Sequence, residues 1–248
     1  MAQGQNIPPR GFSTAEFENR LRRAQEQMRA HQMDALFLTT EPEIRYFSGF
    51  LTQFWQSPTR PWYMLVPKKG KPIAIIPEIG ASYMRSTWLD DIRTWSSPFP
   101  ADEGITLLKQ ALREVGGKTG NVGMLIGAET HLHMPYADFQ QLDETHFVDA
   151  TAILRSLRMV KSEAEIEKIA HICGIASDAF ETLPEFVTTG DTEAGAFLKF
   201  KIDLLQRGAD DVPYLVGGAG QDGYDDIISP PTEKELKEGD ILMLDTGA

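Results

Sequence analysis

Apolar residues fall into two spacings along this chain. Recurrence at every third or fourth position marks amphipathic helices, and short unbroken apolar runs mark buried strands. Phe17, Leu21, Ala24 and Met28 share one helical face, and Ser13 with Glu16 forms a capping box ahead of it. Residues 34–39 (DALFLT) follow as a short buried strand, and 43–50 (EIRYFSGF) as a helical turn ending near Gly49. Two strands, 62–66 and 73–76, flank the polar turn Pro67-Lys68-Lys69-Gly70-Lys71. Helices are predicted over 80–88, 104–115 and 134–142, with a strand over 122–126, and Phe147-Val148 closes the series. Strands alternating with helices predict an α/β fold, a sheet covered by helices.

The pattern then changes. Residues 150–160 read as a helix and a link, and Ser162 caps a new helix with glutamates in its first turn. Ile166, Ile169, Ala170, Cys173, Ala176 and Phe180 keep one apolar face, so Cys173 is expected to be a small buried hydrophobe. Residues 189–193 restart a helix that runs to Gly208, 212–218 are strand-like, and 233–239 form a polar turn. Four apolar residues, 241–244, then predict a strand buried on both faces, with Asp245 where it leaves the interior. The boundary between two domains, 1–157 and 158–248, is placed at residue 157.

Composition narrows the function classes. The chain has 248 residues, 42% hydrophobic and 24% charged, ordinary for one or two globular domains. Its net charge of −12 argues against nucleic acid or an anionic membrane as partner. A single cysteine excludes an intrachain disulfide and fits a reducing, cytoplasmic compartment. No apolar run approaches the ~20 residues of a membrane span, and no secretory signal is visible.

Two stretches carry candidate chemistry. Burying a lone carboxylate is costly unless a cation or donor meets it, so Asp245 reads either as a metal ligand or as an Asx-type bend with Thr246 and Gly247. Residues 54–62 hold two tryptophans, two prolines and Arg60. They read either as a packed surface loop or as a rigid lip of Trp55, Arg60 and Trp62, whose exposed aromatics and guanidinium would hold a carboxylate. His131 and His133 lack a nearby third ligand and read as an ordinary loop. The D-T-G-A at 245–248 also matches the aspartic-protease turn, but no second copy accompanies it. Residues 217–223 are glycine-rich without the G-K-[ST] of a phosphate loop. A standalone α/β binding or dimerisation module is the non-enzymatic alternative.

The order of three segments resembles the pita-bread metallopeptidase family of Xaa-Pro aminopeptidases, dipeptidases and creatinase. The segments are Glu41–Phe50 (EPEIRYFSGF), Arg158–Ile166 (RMVKSEAEI) and Leu236–Ala248 (LKEGDILMLDTGA). The resemblance implies a creatinase-like, ribonuclease-H-like N-terminal domain with a mixed sheet and flanking helices, followed by the first part of an α+β pita-bread domain. It implies a cytoplasmic homodimeric hydrolase acting on a proline-containing peptide or a small amide or amidino compound. It also implies two divalent ions (Mn, Zn, Co or Fe) in a full-length protein and none in this portion. Asp245 matches the first metal-binding Asp, and the co-ligands are expected downstream. Family peptidases and creatinase-type members carry a His shortly before this strand. The matching loop, residues 217–231, has none. Tyr224, Asp225 and Asp226 are expected to line the pocket in its place and to favour a cationic substrate group.

Overall fold

A computed structural model describes residues 7–57, 60–116, 120–221, 223 and 226–248. The chain forms two compact units, Pro9–Lys161 and one that contains Ser162–Ala248.

In the first unit, α1 (Thr14–Ala30) starts where the Ser13 hydroxyl accepts from the Glu16 amide. Strand β1 (Ala35–Leu38) is buried along its whole length. Helix α2 (Glu41–Ser48) stops at Gly49, whose φ of 75° is the left-handed conformation that ends helices. Strands β2 (Tyr63–Pro67) and β3 (Ile73–Pro77) pair as the expected hairpin. The helix expected over 80–88 is shorter: a 3-10 turn, Glu78–Gly80, leads into one helical turn, α3 (Ala81–Met84). Strand β4 (Asp91–Trp95) was not foreseen. It is followed by α4 (Ile105–Gly116), β5 (Asn121–Met124), α5 (Tyr136–Phe139), β6 (His146–Asp149) and α6 (Thr151–Met159).

The six strands form one mixed sheet in the order β4-β3-β2-β1-β5-β6. β1, β5 and β6 are parallel, as are β3 and β4, and β2 runs antiparallel to both neighbours. The carboxyl ends of five strands and the start of β2 therefore gather at one end of the sheet. Open α/β sheets place ligands at such an end.

Both faces of the sheet are covered. Leu36, Leu38, Met64 and Val66 pack with α1, α2 and α6 on one side. Ala35, Phe37, Tyr63 and Leu65 pack with α4 on the other. Burial on two faces explains why these strands read as continuous apolar runs. Each fully buried large side chain contributes roughly 1.5–3 kcal/mol. Two glycines let rings into this packing. A Cβ on Gly80 would stand 2.4 Å from Trp62, and one on Gly104 2.6 Å from Trp95.

In the second unit, α7 (Glu163–Phe186) opens with the capping box of Ser162 and Glu165. Helix α8 (Glu193–Arg207) begins on the Thr192 hydroxyl and ends at Gly208. The two helices meet through Phe180 and Phe200, whose ring centroids lie 4.7 Å apart. Strands β7 (Leu215–Gly220) and β8 (Ile241–Thr246) form a two-stranded antiparallel sheet.

Two expectations are corrected here. Cys173 is exposed, because the buried stripe of α7 runs through Ile175 and Ala179. Strand β8 is not buried on both faces. It has one partner strand, and Ile241 and Asp245 are exposed. Among the described residues, no helix is long and apolar enough to cross a membrane.

Candidate functional site

The predicted site residues divide between the two units. Trp55, Arg60 and Trp62 belong to the first, at the start of β2. Of the two readings of this stretch, the tryptophans follow the packed one and do not form an exposed lip: Trp55 is 5% and Trp62 1% exposed. Phe50 draws them inward, with ring centroids at 6.1 Å from Trp55 and 5.2 Å from Trp62, and the two indoles lie 5.8 Å apart. The exposed Tyr83 joins this cluster through Phe50, with ring centroids 5.2 Å apart.

Burial leaves a polar remainder. The indole N–H of Trp55, the indole N–H of Trp62 and the Nε–H of Arg60 are buried without an acceptor among the described residues. A buried donor without a partner costs about 1–3 kcal/mol. Three such donors fall within eight residues of the chain. The half-buried Arg60 also lies in the field of Glu103. Glu103 itself is fully engaged, accepting from the Trp95 indole at 2.8 Å, the Ser97 hydroxyl at 2.7 Å and the Phe99 amide at 2.6 Å. Burial pushes its carboxyl up, but these donors and Arg60 outweigh burial and hold it below the usual carboxylate range.

Asp245 belongs to the second unit, in β8 opposite Val216. Its carboxylate is exposed and accepts from the Tyr214 hydroxyl at 3.4 Å. Among the described residues no backbone amide caps this carboxylate, as an Asx bend would require. Among them, too, no three His, Cys, Asp or Glu side chains are placed to share a metal. One carboxylate falls short of the donor set that divalent ions need, so the described residues do not by themselves fit a metal pair.

Tyr224 and Asp225 lie outside the described residues. Asp226 serves its own loop: it accepts from the amides of Ile228 at 2.9 Å and Ser229 at 3.1 Å and from the Ser229 hydroxyl. The Ser229 hydroxyl, then those amides, hold its carboxyl below the usual range.

Sequence reasoning missed Glu193, the residue that shapes this loop. It is the first residue of α8 and is 6% exposed. One carboxylate oxygen accepts from the Ala219 amide at 3.1 Å. The other accepts from the Thr232 amide at 3.1 Å and the Thr232 hydroxyl at 2.6 Å. Burial pushes this carboxyl up, but the Thr232 and Ala219 donors and Lys234 outweigh it, and the net shift is downward. Glu193 thus pins both ends of the 219–232 segment. Its sequence signal, a Glu directly after a Thr cap, reads only as a favourable charge at a helix start.

Comparison with known proteins places this geometry. The profile of the Creatinase/Prolidase N-terminal domain matches residues 20–160. The chain belongs to that family. A probable dipeptidase PepE of Mycobacterium tuberculosis is 34% identical over 98 residues, 40% of this chain and 26% of the relative. The creatinase of a Bacillus species is 26% identical over 253 residues, covering 97% of this chain and 58% of that enzyme. The crystal structure of dipeptidase PepE from Mycobacterium ulcerans superposes with a TM-score of 0.76 at 23% identity, over 96% of this chain and 62% of that one. The chain thus spans about three-fifths of the creatinase and of the solved dipeptidase. The mixed sheet with flanking helices agrees with the creatinase-like first domain expected from the sequence.

Proposed function

We propose that this chain works within a metal-dependent hydrolase of the Xaa-Pro dipeptidase and creatinase class. Its substrate is a proline-containing peptide or a small amide or amidino compound. The observation that carries the reading is the family profile across residues 20–160, followed in the second unit by the strand that presents Asp245. In this reading β7 and β8 begin a pita-bread domain, and Asp245 is a ligand of two divalent ions whose other donors lie outside the described residues. Such ions supply a water acidified to near neutrality. The chain's own contribution is recognition. Arg60, backed by the Trp55 and Trp62 N–H groups, holds a substrate carboxylate or carbonyl. In a homodimer that patch serves the neighbouring copy's site, and Tyr224 and Asp225 line the pocket beside Asp226.

The test is hydrolysis of Xaa-Pro dipeptides and creatine by the native gene product, with metal content measured alongside. Metal-dependent turnover is expected. Arg60→Ala should raise KM with kcat little changed. A metal-free protein without turnover would leave a binding module in place of an enzyme, and an unchanged KM in Arg60→Ala would remove the recognition role.

A further inference from the structure

Glu193 is a costly residue for its place. Ala219, whose amide it holds, belongs to a small apolar cluster with Ala196 and Leu236, against which Val187 and Leu242 pack. A carboxylate buried beside such a cluster is unfavourable unless hydrogen bonds satisfy it, and an apolar residue would avoid that cost. What the carboxylate adds is direction, because each of its bonds fixes a partner in place.

All of those partners belong to one segment. One carboxylate oxygen holds Ala219 and the other holds Thr232, so the two ends of the 219–232 segment stand side by side. The backbone of the same helical turn repeats the arrangement. The Glu193 amide donates to the Lys234 carbonyl at 2.9 Å, and the Ala194 amide to the Thr232 carbonyl at 3.0 Å. The Lys234 ammonium then reaches across to the Ala219 carbonyl. A compact surface loop of about 6–16 residues with its ends drawn together is an Ω-loop, a class that often carries function.

We propose that Glu193 is a positioning residue for substrate: by closing this loop at its base it sets where the Asp226 turn stands in the pocket. The inference rests on the hydrolase reading above, in which the loop lines that pocket. Glu193 acts through the loop it holds. A loop that meets the substrate equally before and during reaction contributes affinity and not rate, so loosening its base raises KM and leaves kcat nearly unchanged. The tie needs reach as well as charge. Aspartate keeps the charge and is one methylene too short to hold both ends, whereas glutamine keeps the reach and one acceptor oxygen.

The experiment is steady-state kinetics of the native gene product on Xaa-Pro dipeptides and creatine, with hydrogen exchange of the Ala219 amide followed in each variant. Glu193→Ala and Glu193→Asp should raise KM about tenfold with kcat within about twofold, and Glu193→Gln should recover part of the loss. Lys199→Ala is the control for general loosening of α8. It removes the bonds from Lys199 to Asp191 and to the Phe186 carbonyl, neither of which closes the loop, and should leave KM unchanged. If the alanine variant fails to fold, the aspartate and glutamine variants carry the comparison. Unchanged KM in variants whose Ala219 amide exchanges faster would overturn the positioning role and leave a structural tie. So would an equal rise of KM in Lys199→Ala, or a fall in kcat at constant KM. A wild-type protein without turnover removes the hydrolase reading and this role with it, an outcome distinct from an active wild type with indifferent variants.

Discussion

Replacing Glu193 by Ala removes three hydrogen bonds to one carboxylate, two from backbone amides and one from a hydroxyl. The three donors do not lose equally. Thr232 is exposed, so water replaces the carboxylate there at little cost. Ala219 is 5% exposed, so its amide is left dry. An unsatisfied buried donor costs about 1–3 kcal/mol, and the lost charge-assisted bonds add to it, giving about 2–4 kcal/mol. The loss falls on the 219–232 segment and its seat on α8, so hydrogen exchange is the suitable assay. A local loss of about 2 kcal/mol speeds exchange of the Ala219 amide about 30-fold. Glu193→Gln keeps the volume and one acceptor oxygen, and should cost about half as much. The pH dependence follows in sign. The folded carboxyl has a lowered pKa, so its contribution is complete above the unfolded carboxylate range and is lost as pH falls through the folded value. Protection of Ala219 should therefore decay in acid in the wild type and change much less in Glu193→Gln. Unchanged Ala219 exchange in Glu193→Ala, or parallel acid profiles in wild type and Gln variant, would refute the reasoning.

Two further outcomes are expected. Gly80→Ala places a methyl 2.4 Å from the buried Trp62 ring and should cost about 1–3 kcal/mol in urea unfolding, with a shift in tryptophan emission. Arg20 is 2% exposed, donates to the Tyr46 carbonyl at 2.9 Å and to Glu16 at 3.1 Å, and lies 4.1 Å above the Phe12 ring. Arg20→Ala should cost about 3 kcal/mol, and Lys should restore less than half, because an ammonium cannot bond in the plane and stack at once.

The parts of the fold that were legible carried strong local signals. Phe37 and its neighbours in β1 are apolar on both faces, Gly49 stops α2, and Ser162 with Glu165 starts α7. Strand β4 was not legible because Asp91, Arg93 and Thr94 dilute its apolar content. As an edge strand paired only with β3, it needs little of that content. Residues 54–62 left a packed loop and an exposed lip both open in the sequence, and contacts with Phe50, near in space and sequence, decide for packing by burying both rings. Cys173 was misjudged because α7 carries apolar residues on two adjacent stripes, and only the stripe of Ile175 and Ala179 is covered. At the site, Asp245 stood out as a carboxylate on an apolar strand. Glu193 did not, since the groups it holds, Ala219 and Thr232, lie far along the chain.

The pairing of Gly80 with Trp62 and of Gly104 with Trp95 has a consequence for how this domain can diversify. At each pair, bulk on the strand is matched by its absence on the facing segment, so neither member changes freely alone. A side chain at the glycine collides, and a smaller residue at the tryptophan leaves a hollow. Relatives that lose one of these indoles should gain a methyl or larger group opposite it. The two loci are therefore places to exchange volume between segments while the backbone keeps its course.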